Sequence, residues 1–390
     1  MEAFSGFFRF SADDDLFRVM KKIALVHLGS FGDCLYATAI ARQIKTDYPD
    51  CYLTWIIGEK YSSVLINNPY VDEIEKYPNP DYYFEGWNLL KEKCLKLKNE
   101  GFYDEVFFSQ IYPENLHTFD GTIRNSTFKG YPGNISDVTP VLFLTEEEVT
   151  NVKKFLNKVN PDKKRIVVFE FAANSNQTFI NKQFAVEAAH RIVNNISDYI
   201  VILTSHQKIE TGNPNIIDGS SLTFRENAEL VNNAWLFIGC SSGITWLSTS
   251  GWGKQVPTIQ LINPKAYWFA GVLYDHEYFG IDNKHIIEMQ QCTTDYLLNC
   301  LVEIYNNNFE LAKNKYSQTV LPARFKAFRI LHFRFLTRFQ LTKTRSLYKS
   351  YVQRHGFRYV FGIFIVVNFV LLPLAPFWYL KNNLLKMLRK

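Results

Sequence analysis

The stretch Lys21–Ile44, KKIALVHLGSFGDCLYATAIARQI, carries most of the information about the fold. A charged pair leads into an apolar run, Ile23–Leu28, and a loop framed by glycines, Gly29–Gly32, separates this run from a helix-like stretch. A strand that ends in glycines and turns directly into a helix is typical of α/β proteins, where it places backbone N–H groups at the carboxyl edge of a parallel sheet. Ligands bind at that edge. Because Asp33 comes where the helix begins, the pattern marks it as a candidate reaction centre.

The charge of the chain is divided unevenly. Of 390 residues, 43 are Lys or Arg and 38 are Asp or Glu. Residues 324–390 hold 14 of the basic residues and no acidic residue, so the first 323 residues carry a net charge of about −9. An acidic body with a strongly basic tail predicts different partners for the two parts. The six cysteines show neither close pairing nor metal-ligand spacing, which predicts reduced thiols in a cytosolic protein.

Strand-like and helix-like stretches alternate along the chain in two series. Tyr52–Ile57 and Glu105–Phe108 are predicted strands of the first series, and Arg165–Phe171 opens the second. The predicted fold class is therefore α/β, with two doubly wound, Rossmann-like domains that face each other across a cleft. The predicted parts are an N-terminal extension (1–20), a first domain (21–144), a linker helix (145–163), a second domain (164–320), a basic amphipathic segment (321–358) and an apolar segment with a basic end (359–390).

The tail is predicted to meet a membrane. Residues 321–358 interleave aromatic and basic side chains, and Tyr359–Leu380 then runs for 22 residues without a charge. A helix of that length is about long enough to cross a hydrocarbon core of ~30 Å. Basic flanks and the Trp-Tyr end favour a membrane over a buried globular helix. We therefore expect 321–358 to lie on anionic lipid and 359–390 to insert.

Alternatives remain open for the tail. The uncharged stretch could be a buried helix, and the basic-aromatic stretch could bind nucleic acid. A neighbouring membrane segment favours lipid headgroups, so no nucleic-acid partner is expected. Because Pro373 and Pro376 would kink a helix, a re-entrant hairpin with both ends cytoplasmic is as open as a single span.

The glycine loop alone also has two interpretations. Its glycines could permit only a tight turn, with Asp33 complementing the dipole of the following helix. Alternatively, the loop binds a ligand and Asp33 reacts with it. His27 lies inside the apolar strand, where a satisfied core histidine and a ligand contact are both compatible with the pattern.

The flanking motifs favour the second interpretation. The stretch Ile23–Ile74 resembles the amino-terminal domain of the heptosyltransferase-like glycosyltransferases, family 9, which build lipopolysaccharide cores. Three motifs carry the resemblance in family order: Gly32-Asp33, Tyr48-Pro49-Asp50-Cys51-Tyr52-Leu53-Thr54-Trp55-Ile56 and Asn68-Pro69-Tyr70-Val71-Asp72-Glu73-Ile74. The resemblance implies the GT-B fold, in which the two domains hold acceptor and donor on opposite walls of the cleft.

The resemblance also implies roles for residues of the first loop. In the family, the Asp of Gly-Asp acts as the base for the acceptor hydroxyl, which implies that role for Asp33. Where the family often has Arg near the end of the first strand, this chain has His27. The implied acceptor-binding residues are His27, Gly29, Ser30 and Gly32.

The second half resembles the donor domain of the family more loosely. Gly239-Cys240-Ser241-Ser242-Gly243 occupies the place of the family's Gly-x-Asp-Ser-Gly, so Ser241 replaces the acid. Trp246 stands where the family has His, and the Lys-x-Trp phosphate element expected near Gln177–Phe179 is missing, with Lys182 the nearest cation. Each donor candidate could equally be ordinary turn chemistry. The candidate donor-binding residues are Ser175, Asn176, Thr178, Lys182, Thr204, Ser241, Ser242 and Gly243.

These observations predict a membrane-associated, inverting glycosyltransferase. A nucleotide-sugar donor would be held by the second domain, its diphosphate on backbone N–H groups without a metal or other cofactor. A lipid-linked or lipopolysaccharide-type acceptor would approach Asp33 at the cytoplasmic face of the bacterial inner membrane. Two alternatives stay open: an epimerase or hydrolase of nucleotide sugars with the same fold, and a non-catalytic glycan- or nucleotide-binding subunit of a membrane assembly.

Overall fold

In the computed structural model, the described residues are 20–78, 85–172, 177–263, 271–290, 292–318 and 324–371. They form two α/β domains followed by tail helices. The expectations for Ser175 and Asn176, and those for residues 372–390 with Pro373 and Pro376, concern positions outside the described residues.

The first domain is built on a parallel sheet of four strands in the order β3-β2-β1-β4. Its central strand is the apolar run of the opening stretch, and Ile23 to Val26 are fully buried. The strands are β1 (Lys22–Val26), β2 (Tyr52–Gly58), β3 (Glu73–Tyr77) and β4 (Glu105–Phe108). The helices are α1 (Phe31–Asp47), α2 (Glu85–Asn99) and α3 (Ile123–Phe128), with short 3-10 segments at Glu59–Leu65 and Leu116–Thr118 and a π segment at Ile111–Asn115.

The second domain has a parallel sheet of six strands in the order β10-β9-β8-β5-β6-β7. The strands are β5 (Arg165–Glu170), β6 (Tyr199–Thr204), β7 (Ile216–Asp218), β8 (Leu236–Gly239), β9 (Thr258–Ile262) and β10 (Ile286–Gln290). The helices are α4 (Glu146–Val159), α5 (Lys182–Asn195), α6 (Glu226–Asn232), α7 (Gly243–Ser248), α8 (Val272–Phe279), α9 (Thr294–Asn306) and α10 (Phe309–Tyr316). Both faces of the sheet are covered by apolar clusters, as expected for an all-parallel sheet.

The predicted linker helix is α4, and it lies against the second domain. Thr145 caps it, accepting a hydrogen bond from the Glu148 N–H at 3.1 Å while the Glu148 carboxylate accepts from the Thr145 N–H at 2.7 Å. These two hydrogen bonds form a reciprocal capping box at the start of the helix. Val152 is fully buried and joins a cluster with apolar residues of β5, β6 and β8.

The tail helices are α11 (Arg324–Leu336), α12 (Leu341–His355) and α13 (Phe357–Ile365), followed by a π segment at Val366–Leu371. Their buried side chains, among them Phe328, Leu347 and Val360, join the apolar core of the first domain. Within the predicted amphipathic segment, residues 324–336 and 341–355 are therefore helical, but one face of these helices packs on protein. Within the described residues, no helix is both long and apolar enough to cross a membrane.

Candidate active site

The loop before α1 holds Asp33 in a defined orientation. Asp33 Oδ2 accepts hydrogen bonds from the N–H and the hydroxyl of Ser30, both at 3.2 Å. Among the described residues nothing is hydrogen-bonded to Oδ1, so this oxygen is available to a substrate. Burial raises the pKa of Asp33 to about 6, against the lowering effect of the Ser30 hydrogen bonds. A carboxylate with a pKa near neutrality is a stronger base at physiological pH than an ordinary one.

Gln110, which follows β4, holds the start of the loop at Leu28 and Gly29. Its amide oxygen accepts from the N–H groups of Leu28 and Gly29 at 2.9 and 3.3 Å, and its amide nitrogen donates to the Gly29 carbonyl at 2.7 Å. A Cβ on Gly29 would come within 2.4 Å of the Tyr61 ring, so only glycine fits at this position. Ser30 and Asp33 thus project from a loop whose preceding residues are fixed.

His27 lies below this loop in the core. Its side chain is fully buried, and Nδ1 is 2.9 Å from the Ser109 hydroxyl. Burial lowers the pKa of His27 to about 3, so the ring is neutral. The structure does not bring His27 to the surface of the cleft, and an acceptor contact there would require the loop to move. Of the four predicted acceptor residues, Ser30 and Gly32 are the ones that reach the cleft.

The predicted donor loop, Ser241–Gly243, connects β8 to α7. Ser241 has a left-handed backbone (φ 55°), and its N–H donates to Gln260 Oε1 at 3.1 Å. The Ser241 hydroxyl donates to Gln177 Oε1 at 3.1 Å. Ser242 caps α7 by accepting from the Ile244 N–H at 3.2 Å. Within the described residues, the N–H groups of Ser242 and Gly243 have no hydrogen-bond partner, whereas that of Ser241 is engaged by Gln260.

The two loops meet at the domain interface. A Cβ placed on Gly32 would lie 3.7 Å from the Gly243 Cα and 3.3 Å from the Trp246 ring. Beside them, Phe31 stacks on Phe224 with ring centroids 4.3 Å apart. Gly32, the residue before Asp33, therefore lies beside Gly243 of the second domain. That Asp33 and the Ser242–Gly243 turn form one site stays a prediction.

The remaining donor candidates lie at the same edge of the second sheet. The Thr178 hydroxyl donates to the Leu261 carbonyl at 2.8 Å, so it ties the segment after β5 to β9. Thr204 ends β6 and is fully buried, with no partner for its hydroxyl among the described residues. Lys182 is exposed at the start of α5. The ligand roles of these residues stay predictions.

Sequence reasoning missed several residues that build the site. Gln110 follows a predicted strand at the carboxyl edge, which is a signal that could have identified it. Glu170 closes β5 and is buried against Ser242, but the sequence pattern shows it only as one residue of a predicted strand. Phe224 and Arg225 precede a short helix and carry no local signature. Among the described residues, no cluster of three or more His, Cys, Asp or Glu side chains could hold a metal ion.

Comparisons with known proteins agree with the resemblance read from the sequence. No family model matches the chain. Lipopolysaccharide heptosyltransferase 1 from Campylobacter coli is 25% identical over 113 residues, which is 27% of this chain and 33% of that protein. The chain thus aligns with about a third of the length of this curated relative.

Two solved structures share the architecture. A family 9 glycosyltransferase from Veillonella parvula superposes with a TM-score of 0.50 at 15% identity, covering 80% of this chain and 97% of that one. ADP-heptose lipopolysaccharide heptosyltransferase II from E. coli gives a TM-score of 0.50 at 11% identity, covering 73% and 98%. The resemblance to glycosyltransferase family 9 is confirmed, and the chain has the GT-B fold of these enzymes.

Proposed function

We propose that this protein is an inverting glycosyltransferase that transfers a sugar from a nucleotide-sugar donor to a lipid-linked or lipopolysaccharide-type acceptor. The observation that carries the proposal is the approach of Gly32 to Gly243, since it puts Asp33 beside the turn that would hold the donor. The solved relative from E. coli is named for ADP-heptose, which supports a nucleotide-sugar donor.

The proposed reaction is a single displacement. Asp33 Oδ1 accepts the proton of the acceptor hydroxyl while the hydroxyl oxygen forms a bond to the anomeric carbon of the donor sugar. The bond from that carbon to the diphosphate breaks, and the nucleoside diphosphate leaves with the bonding electron pair. Ser30 engages Asp33 Oδ2, which leaves Oδ1 as the oxygen that takes the proton in this proposal. In this proposal, the N–H groups of Ser242 and Gly243 stabilise the developing charge on the diphosphate.

Binding of both substrates requires the loops to separate. The Phe31 and Phe224 rings are in contact, and a methyl group on Gly243 would already touch the Phe224 ring and the Phe31 Cβ. We therefore infer that the structure represents a closed arrangement of the two domains, and that opening admits donor and acceptor. Closure would then exclude water from the reaction, which strengthens every electrostatic contact inside it.

The tail supports the membrane-associated part of the proposal. The outer face of α13 and the following π segment exposes Phe357, Phe361 and Phe369, and Arg358 is exposed beside them. Exposed aromatic residues next to basic ones are suited to the interface of an anionic bilayer. We propose that this face lies on the cytoplasmic surface of the membrane and holds the cleft near a lipid-linked acceptor.

A transfer assay tests the function. The full chain, bound to anionic vesicles that contain a lipid-linked glycan extract, is incubated with a panel of nucleotide sugars, and released nucleoside diphosphate is measured. We expect one donor to be consumed in the presence of acceptor, and Asp33→Asn to abolish release. Asp50→Asn removes an exposed carboxylate just after α1 and is the matched control.

The outcomes separate the candidate functions. Release without acceptor would favour a hydrolase, and a changed sugar still attached to its nucleotide would favour an epimerase. Donor binding without turnover for every sugar tested would favour a non-catalytic subunit. Acceptor-dependent release that survives Asp33→Asn would exclude Asp33 as the base.

A further inference from the structure

A row of polar side chains crosses the second sheet near its carboxyl edge. Strand register places Glu170 of β5 beside Thr204 of β6, and Gln260 of β9 beside Gly239 of β8 and Glu288 of β10. The four side chains are at most 2% exposed. Buried carboxyl groups are rare without partners, so their contacts indicate what they do.

Glu170 is connected directly to the donor turn. The Ser242 hydroxyl donates a hydrogen bond to Glu170 Oε1, and the Thr245 hydroxyl lies 3.3 Å from Oε2. Backbone groups of Cys240 and Thr245 also donate to this carboxyl. Glu170 therefore accepts hydrogen bonds from both sides of the Ser241–Gly243 turn, which are the end of β8 and the first turn of α7.

Gly239, at the end of β8, leaves room for these contacts. A Cβ on Gly239 would come within 2.4 Å of the Gln260 amide nitrogen and 2.7 Å of the Thr245 hydroxyl, so glycine lets the row pass between β5 and β9. Gln260 Oε1 in turn accepts from the Ser241 N–H at 3.1 Å and lies 3.2 Å from the Thr245 hydroxyl. Glu170 and Gln260 thus hold the turn from β5 and β9, the two strands on either side of β8.

We propose that Glu170 is a positioning residue of the donor site, which holds Ser242 and the start of α7 where the turn faces Asp33. The inference rests on the proposed function for its kinetic consequence. Ser241 stands where the resemblance leads one to expect an acid, and in this chain a carboxyl group reaches the same turn from β5 instead.

The conservative variant is Glu170→Gln, which keeps the size of the side chain. An amide nitrogen in place of Oε1 would face the Ser242 hydroxyl, and one in place of Oε2 would face the Thr245 hydroxyl, so one of these donors loses its acceptor. We expect the turn to loosen while the fold persists. Glu288→Gln is the matched control, because Glu288 is equally buried in the same row but accepts from the Leu273 N–H at the start of α8, at 2.8 Å.

The first measurement needs no substrate. Amide hydrogen exchange of the free protein reports opening of individual segments. We expect Glu170→Gln to accelerate exchange of the hydrogen-bonded amides of this segment, those of Ser241 and residues 244–246, by about tenfold or more, as one lost charged hydrogen bond implies. Glu288→Gln should leave these amides unchanged. Equal exchange in this segment for Glu170→Gln and the wild type would overturn the proposal, whatever the protein transfers.

The second measurement is kinetic. We expect Glu170→Gln to raise the KM for the donor about tenfold or more, with the KM for the acceptor unchanged. In a double-mutant cycle with Ser242→Ala, the increases in donor KM caused by the two substitutions should not multiply, because Glu170 acts through Ser242. Multiplying effects, or an equal rise in Glu288→Gln, would overturn the proposal. Faster exchange in a protein that turns over no donor would instead contradict the proposed function.

Discussion

Arg225 binds Glu148 through two hydrogen bonds, Nε to Oε1 at 2.7 Å and Nη2 to Oε2 at 3.0 Å. The same guanidinium donates to the carbonyl oxygens of Ser63 and Ile66 in the first domain at 3.3 and 3.1 Å, and to that of Phe143 at 2.6 Å. A planar guanidinium can direct donors to several acceptors at once. Arg225, buried just before α6, therefore joins the second domain to the first.

Replacing Arg225 by Lys should weaken this connection. Lysine keeps the charge but cannot reach five acceptor atoms, so buried carbonyl groups lose their donors. We expect Arg225→Lys to lower the free energy of unfolding by about 2–4 kcal/mol, measured by chemical denaturation. Arg165→Lys is the control, since the Arg165–Asp198 pair is about half exposed and should contribute less than about 1 kcal/mol. Equal losses in both variants would show that the Arg225 contacts do not join the domains.

Protonation of Asp33 should lower the kcat/KM of the reaction at acidic pH. Because its pKa is raised to about 6, the carboxyl is a free base above that pH and protonated below it. We expect kcat/KM to fall tenfold per pH unit below about 6 and to be level above it. Asp33→Asn should remove this acidic decline and lower kcat by about 10²–10⁴-fold. A decline that persists in Asp33→Asn would belong to another group.

Asp33→Asn should also raise the free energy of unfolding at neutral pH. A raised pKa means that the folded protein holds the Asp33 proton more tightly than the unfolded chain, so wild-type stability declines as the pH rises from about 4 to about 6. Asn carries no charge and keeps an oxygen that can accept from Ser30. Asp33→Asn should therefore unfold at a higher temperature than the wild type at pH 7 and at about the same temperature near pH 4.

The contact between the two loops can be tested with a single methyl group. In Gly243→Ala the new Cβ would lie 2.8 Å from the Phe224 ring and 3.3 Å from the Phe31 Cβ. The loops must then move apart, which should lower kcat and destabilise the closed arrangement by about 1–3 kcal/mol. Adding Phe224→Ala makes room and should restore part of the activity. Gly362→Ala, which meets nothing within 4 Å in α13, is the control.

Much of the architecture was predictable because it depends on local patterns. The apolar run before Gly29, the capping box at Thr145 and the alternating strands of the second domain each have a short-range cause, and the structure has an element at each. β3 was not predicted, since Glu73–Tyr77 carries three charged or polar positions in an edge strand. The site was less predictable: Asp33 has a motif, whereas Glu170, Gln110 and Arg225 act through contacts distant in sequence.

In the tail, too, the sequence pattern alone does not show which side chains are buried. Its aromatic and basic residues alternate, which predicts a membrane surface for the whole segment. In the structure, Phe328 and Tyr351 are buried while Phe357 and Phe361 are exposed. Composition cannot distinguish these aromatic residues, because only the packing of α11 and α12 on the first domain decides which face is covered.

The exposed aromatic face of α13 should bind anionic membranes. We expect the full chain to sediment with vesicles rich in anionic lipid, less so with neutral vesicles, and to be released by high salt as surface charges are screened. The double variant Phe357→Ser and Phe361→Ser should weaken binding without unfolding the protein. Phe102→Ser, an exposed aromatic of the first domain, should bind like the wild type. Equal binding by both variants would place the lipid contact elsewhere in the chain.

Glu170 should make stability depend on pH in a characteristic direction. Burial raises its pKa to about 7, against the lowering effect of hydrogen bonds from Cys240 and Thr245. The folded protein therefore holds this proton more tightly than the unfolded chain, and wild-type stability should decline as the pH rises from about 4.5 to about 7. Glu170→Gln lacks this decline. Its stability relative to the wild type should improve by up to about 3 kcal/mol between pH 5 and pH 8.

The measurement is chemical denaturation of both proteins at several pH values, with Glu92→Gln as an exposed control that should follow the wild type throughout. A variant that parallels the wild type at every pH would show that Glu170 is already ionised in the acidic range. The predicted difference in pH dependence could be found together with a raised KM for the donor in Glu170→Gln. In that case, the chain keeps an ionisable side chain that lowers its stability at neutral pH. Such an outcome is expected when a buried carboxyl group positions a binding site. Donor binding then requires a carboxyl group, although an uncharged side chain would make the folded protein more stable.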